Sequence, residues 1–141
     1  MLYILVEKEY TDSEIASMQN KLVENVKKEV RRMKESQLLK GVLEGCVLEI
    51  ISKKAIYGYE LIQSLKEMGF DKIVAGTIYP LLQKLEKQGV IHGEMRPSPD
   101  GPDRKYFSLS DAGRERLEEF WDQWQELVTK VERIKREGEE W

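Results

Sequence analysis

The segment Ala75–Gly89 restricts the fold of this chain more than any other. Ile78, Leu81, Leu82 and Leu85 fall at i, i+3, i+4 and i+7, the spacing that gathers apolar residues on one face of a helix. Gly89 supplies the C-terminal stop. The opposite face carries Gly76, Pro80, Gln83, Lys84 and Lys87, with Thr77 and Tyr79 on its flanks. Short hydrogen-bonding groups and cations therefore point away from the core, a face suited to enter a groove of DNA. Proline is tolerated in the first turn of a helix, where its missing N–H has no partner to lose, so Pro80 predicts a helix that begins near Thr77. A helix starting there directs its free N–H groups and positive dipole end outward, where a phosphate is accommodated.

The neighbouring segments give this helix its setting. Tyr57–Gly69 reads as a short helix with Ile62, Leu65 and Met68 inward and Gly69 as its stop, and Phe70–Ala75 as the turn that follows. Two helices joined in this way, the second polar on its outer face, form a helix-turn-helix. Val90–Arg96 and Lys105–Leu109 read as strands, and the Pro/Gly/Asp-rich stretch between them predicts a hairpin tip too wide for a two-residue turn. A hairpin directly after a helix-turn-helix is a wing, with Arg104 and Lys105 at its base. Upstream, apolar residues from Leu38 to Ile51 cover more than one stripe of a predicted central helix over 36–52. Gly41 and Gly45 lie four apart within it, spaced to let another helix approach closely.

Both ends of the chain read as long helices. Thr11-Asp12-Ser13-Glu14 has the form of a capping box, and Ile15, Met18, Leu22, Val26, Val30 and Met33 then recur every three or four residues. The helix ends in the basic run Lys27, Lys28, Arg31, Arg32 and Lys34, which reads either as a DNA-contacting arm or as a solvated helix end. At the other terminus Ser110 caps a helix with Asp111 in its first turn. Leu117, Trp121, Trp124, Val128 and Val131 alternate spacings of four and three, with Phe120, Leu127 and Ile134 widening the stripe. That is the pattern of a helix packed along another helix, here read as a homodimer surface. Trp121 and Trp124 read either as packing or as the lining of an apolar cavity between protomers, where a flat aromatic effector stacks.

Composition sets the outer bounds. The 141 residues allow one domain with a real core, or a smaller domain plus helical arms, but hardly two independent domains. No apolar run approaches the roughly 20 residues that span a bilayer, and 35% charged residues with a mean hydropathy of -0.55 predict a soluble protein with no membrane partner. A single cysteine, which can form no intramolecular disulfide, agrees with a reducing, cytoplasmic setting. The apolar opening Met1–Val6 lacks the basic region and cleavage site of a signal peptide. Cys46 is a lone cysteine among apolar neighbours, expected to be a core thiol. The net charge of -3 counts against nucleic-acid binding when taken alone, but the acids are dense in the C-terminal third, leaving the middle third free to form a basic patch. There is no Walker loop, GxGxxG, HExxH or CxxC, and His92 lies in a predicted strand, so no catalytic residue, metal site or cofactor is expected.

Leu39-Lys40-Gly41, Tyr57-Gly58-Tyr59-Glu60, Gly76–Leu82, Lys84-Leu85-Glu86, Gly101–Tyr106 and Leu109–Gly113 together resemble the PadR family of bacterial transcriptional regulators. They match in order and spacing over roughly residues 38 to 127. The resemblance implies a mainly α fold with a small β-hairpin (α+β), a winged helix-turn-helix plus a C-terminal dimerisation helix. It further implies a homodimer that represses at an inverted-repeat operator in double-stranded DNA and is released by a ligand. By position, it places Thr77, Tyr79, Pro80 and Lys84 on the recognition helix, Tyr57 and Tyr59 on the supporting helix, and Arg104 and Lys105 at the wing. In small drug-responsive members a tryptophan near Trp124 lines a pore between protomers. This chain has Val74-Ala75 where many members have a capping serine, which again favours a start near Thr77. Residues 1 to about 32 lie outside the usual pattern, and their periodicity and capping box favour a real additional helix.

The expected organisation is an N-terminal extension over 1–35, the winged helix-turn-helix over 36–110 and the dimerisation helix over 111–141. Two functions are consistent with it: a dimeric, ligand-responsive repressor, or a winged-helix module that binds a protein through its acidic helices without touching DNA. An enzyme is not expected.

Overall fold

The structure, a computed structural model, describes residues 9–139. The apolar opening Met1–Val6 and Trp141 lie outside the described residues, and Val30, Arg31, Arg32, Met33 and Lys34 fall among side chains outside the description. The chain divides into two compact units, Met1–Lys40 and Gly41–Trp141.

The first unit holds helix α1, Asp12–Leu39. Its predicted capping box is formed: Glu14 N–H donates to Thr11 Oγ1 at 3.2 Å, and the Thr11 N–H donates to Glu14 Oε2 at 2.9 Å. Ile15, Met18, Leu22 and Val26 stand exposed along one stripe. Because α1 continues to Leu39, Lys27 and Lys28 lie in mid-helix and not in a last turn, where the dipole would favour them. The predicted helix over 36–52 is therefore not continuous. It is broken by turns at Lys40–Val42, and Leu38 is 82% exposed instead of central.

The second unit contains α2 (Leu43–Lys53), β1 (Ile56–Tyr57), α3 (Gly58–Glu67), α4 (Ala75–Lys87), β2 (Ile91–Ser98), β3 (Gly101–Leu109) and α5 (Asp111–Glu139). Val47, Leu48 and Ile51 of α2, Leu61 and Leu65 of α3, and Ile78, Leu82 and Leu85 of α4 are buried together with Ile56, Ile91 and Phe107 of the sheet. The α3–α4 turn closes through Phe70 N–H to Leu65 C=O at 2.9 Å, with Gly69 at φ +100° and Ile73 buried beneath it. Met68, expected inward, is 68% exposed, because α3 ends at Glu67 and the chain turns away before Met68 reaches the core.

The wing differs from expectation in three ways. β1 adds a third strand, in the order β1-β3-β2, with Tyr57 paired to Tyr106. Tyr57 thus lies on a strand and at the N-cap of α3, not on the supporting helix. The hairpin also runs further than predicted: Ser98 pairs with Gly101, so Pro99 and Asp100 alone form the tip. An irregularity between Arg96 and Ser98 absorbs the extra residue of β3 near Pro102 and Asp103, which is how proline is accommodated in a paired strand.

α5 begins as predicted at Ser110, whose hydroxyl accepts from Gly113 N–H at 3.0 Å and donates to Gly89 C=O at 2.6 Å, tying the start of α5 to the end of α4. The N-terminal half of α5 packs on α2. Leu117 is buried there, and the Phe120 ring occupies the space where a Gly45 side chain would stand. Of these two residues, both expected on the dimer surface, Leu117 is buried within the protomer and Phe120 is half-buried against α2. Gly41 has open space where a side chain would stand, and no other helix packs against that position among the described residues. Gly45→Ala is expected to displace Phe120 and destabilise the fold by about 1–3 kcal/mol. Thermal unfolding should show a lowered Tm for that variant and none for Gly41→Ala.

Candidate nucleic-acid interface

α4 starts earlier than Pro80 suggested. Val74 is its N-cap, and the Val74 carbonyl accepts from Thr77 N–H at 3.0 Å and Ile78 N–H at 3.2 Å, so the chain is already helical at Ala75. Pro80 consequently sits in the second turn, leaving the Gly76 carbonyl without an intrahelical donor. Gly76 is exposed, so water satisfies that carbonyl, and the apolar anchoring of Ile78 and Leu82 on either side of Pro80 holds the helix together. Val74 has no side-chain acceptor, and the helix lacks a side-chain cap. Its first N–H groups are left to solvent or to an anion.

The outer face of α4 is as its periodicity predicts: Gly76, Thr77, Pro80, Gln83, Lys84 and Lys87 are exposed. On one flank the Tyr79 ring lies over Gly58 at the start of α3, filling the space of the missing side chain. Tyr79 then joins Tyr57, Gln83, Glu86, Arg104 and Lys105 around a cleft of about 290 Å³ between α4 and the base of the wing. The structure thereby brings Tyr57, Tyr79, Arg104 and Lys105 into one place, while Thr77, Pro80 and Lys87 stand on the open helix face.

The cleft continues into a ladder of rings and guanidinium groups. Tyr59 stacks near Tyr57 with centroids 6.5 Å apart, and Tyr57 meets Tyr106 at 5.4 Å. Arg104 lies 4.5 Å over the Tyr57 ring and Arg96 lies 5.0 Å over the Tyr106 ring. Arg96 and Tyr106 were not singled out in the sequence. Arg96 pairs with Arg104 across β2 and β3, and only that register sets both on the wing.

Two of the expected phosphate-binding cations already have carboxylate partners. Lys105 Nζ bonds Glu86 Oε1 at 2.7 Å, and Lys84 Nζ lies 3.6 Å from Glu44 Oε2. Arg116 of α5 donates to Glu44 Oε1 at 3.2 Å and to Gln88 Oε1 at 2.5 Å. Glu44, Glu86 and Arg116 were also missed, since nothing in the local sequence announces a pair between residues 19 to 72 positions apart.

On α5 the exposed apolar residues are Trp121, Trp124, Leu127, Val131 and Ile134, with Val128 half-buried. The Trp121 indole donates to Glu49 Oε2 at 3.1 Å, which fixes its orientation on α2. Trp124 is 38% exposed. Burial pushes the Cys46 thiol up, so it stays protonated at neutral pH. His92 is exposed on β2 opposite Ser108. Among the described residues no group of three or more His, Cys, Asp or Glu could hold a metal, and no helix is long and apolar enough to cross a membrane.

A helix-turn-helix with a polar second helix, followed by a paired wing with cations at its base, is the DNA-binding winged-helix fold. The profile of the transcriptional regulator PadR-like family matches residues 47–119, and the chain belongs to that family, whose members are transcriptional regulators. A Streptococcus transcriptional regulator of known crystal structure is 70% identical, with 70% of this chain and 97% of that chain covered and a TM-score of 0.65. A PadR-like regulator from Bacillus cereus is 47% identical, with 70% and 96% covered and a TM-score of 0.65. PadR from Bacillus subtilis, solved in complex with operator DNA, is 27% identical, with 57% of this chain and 47% of that chain covered and a TM-score of 0.51.

Gly58→Ala tests the cleft directly. The added methyl group meets the Tyr79 ring and should force it outward, destabilising the fold by about 1–3 kcal/mol. Thermal unfolding followed by circular dichroism measures the effect.

Proposed function

We propose that this protein is a dimeric repressor that binds an inverted-repeat operator and is released by a planar, hydrophobic effector. The winged helix-turn-helix over 36–110 acts as the reader, 111–141 as the dimerisation helix, and 1–35 as an extension to that frame. The observation that carries the reading is the joint surface of α4 and the wing: an open polar helix face bordered by Tyr57, Tyr79 and Arg104. Each protomer sets α4 in a major groove, with Thr77, Tyr79 and Gln83 toward base edges and Pro80 shaping the face. Lys84, Lys87, Arg104 and Lys105 meet phosphates, and Tyr59 borders the adjacent backbone. The operator complex of the Bacillus subtilis relative supports double-stranded DNA as the partner.

The α5 stripe supports the dimer. Trp121, Trp124, Leu127, Val128 and Val131 form an apolar face longer than α2 covers, and a second copy buries it. Trp121 and Trp124 then line the space between protomers, where a flat aromatic molecule stacks. An effector held there shifts the spacing of the two α4 helices and with it the fit to half-sites one helical turn apart.

A gel shift on the gene's own upstream DNA tests the reading. Wild-type protein should retard that fragment, and Arg104→Ala should weaken binding by about tenfold, the loss of one charge-assisted contact. Lys84→Ala should weaken it less. Both variants should remain dimers by light scattering. Absence of a shift at low salt would count for a protein partner over DNA. Planar hydrophobic compounds should quench the tryptophan fluorescence, and a Trp124→Ala dimer that binds them as tightly as wild type would remove the inter-protomer site from the mechanism.

A further inference from the structure

The surface that reads DNA contains its own competitors for phosphate. Lys84 stands on the outer face of α4 and Lys105 lines the cleft beside it, and each ammonium group faces a carboxylate supplied by the same protomer: Glu44 at 3.6 Å and Glu86 at 2.7 Å. The side chains involved are between a third and three-fifths exposed, so DNA can reach all four groups. Resting on the DNA-binding function proposed above, we infer that Glu44 and Glu86 are specificity-determining residues that lower affinity for arbitrary DNA by occupying the two lysines until a well-fitted duplex displaces them.

The two pairs differ in how readily they open. Glu44 has a second cationic partner, Arg116 of α5, at 3.2 Å, so its carboxylate stays paired when Lys84 leaves for a phosphate. Glu86 has no second cation at comparable distance among the described contacts, and its pair with Lys105 is seated where a side chain at Gly93 would stand. Lys84 is therefore the easily exchanged cation, whereas Lys105 mainly ties the wing to α4. Arg116 also bonds Gln88 at the end of α4, so a movement of α5 alters how firmly Glu44 holds Lys84. The same arrangement bears on a net charge of -3 beside a DNA-reading surface: two of its cations, Lys84 and Lys105, are screened at rest by carboxylates.

Each phosphate neutralised adds about 0.9 to the slope of log K against log salt, whatever the lysine faced before. Because Glu44 stays paired with Arg116 when Lys84 leaves, its competition shows in affinity and not in the slope. Wild type, Glu44→Gln, Glu86→Gln, Lys84→Ala and Glu44→Gln/Lys84→Ala would be titrated by anisotropy against the upstream fragment and a scrambled duplex over a salt series. Glu44→Gln should bind the scrambled duplex about two- to fivefold more tightly, the range expected for an exposed pair, with a smaller gain on the upstream fragment. The gain should vanish in the double variant, and Lys84→Ala should lower the slope by about 0.9. Glu86→Gln should gain less and lower Tm. Equal affinity of Glu44→Gln and wild type for the scrambled duplex, or a gain that persists without Lys84, overturns the inference while leaving the DNA-binding reading intact. Failure of wild type to bind either duplex defeats both.

Discussion

The burial of Ile78, Leu82 and Leu85, on a helix packed against α3 and β2, is the contact on which the rest of the second unit depends. Each of these side chains contributes about 1.5–3 kcal/mol when removed from water. Together they hold α4 in place although it carries a proline in its second turn and lacks a side-chain cap. Because the inward face alone secures the helix, the outward face is free to carry residues chosen for what they touch outside the protomer. The same burial sets the orientation of that face, since a rotation of α4 by one residue would expose an anchor.

Around α4 the fold builds a frame from both sides. α3 approaches closely enough at Gly58 for the Tyr79 ring to lie over it, and β3 brings Arg104 and Lys105 to the opposite wall of the cleft. Ser110 ties the end of α4 to the start of α5, and Arg116 links α5 to both Glu44 and Gln88. The helix that carries the exposed apolar stripe, α5, is thus joined by two polar connections to the end of α4. Such a linkage gives a change at α5 a short physical route to α4.

Much of this was legible from local chemistry. The capping box at Thr11 and Glu14, the glycine stops at Gly69 and Gly89, the outer face of α4 and the stripe of α5 all follow from patterns contained within a few helical turns. The proline rule misplaced the start of α4, because tertiary anchoring by Ile78 and Leu82 outweighs a lost hydrogen bond on a water-exposed side. Apolar periodicity likewise carried the predicted helix through Lys40–Val42. That segment turns, and the period on either side of a break gives no sign of it.

By itself the sequence determined which residues are apolar, at what period, and hence which faces of α4 and α5 turn inward or outward. Its combination of short motifs was sufficient to point to the PadR family. Tertiary structure alone decided the third strand at Ile56–Tyr57, the register that sets Arg96 opposite Arg104, and the two-residue tip at Pro99 and Asp100. It also decided that Phe120 belongs over Gly45 and that Lys84 and Lys105 face Glu44 and Glu86. The reason is range: a helical face is written in residues three or four apart, whereas strand pairing, ring-over-glycine contacts and ion pairs join residues that only folding brings within a few ångströms.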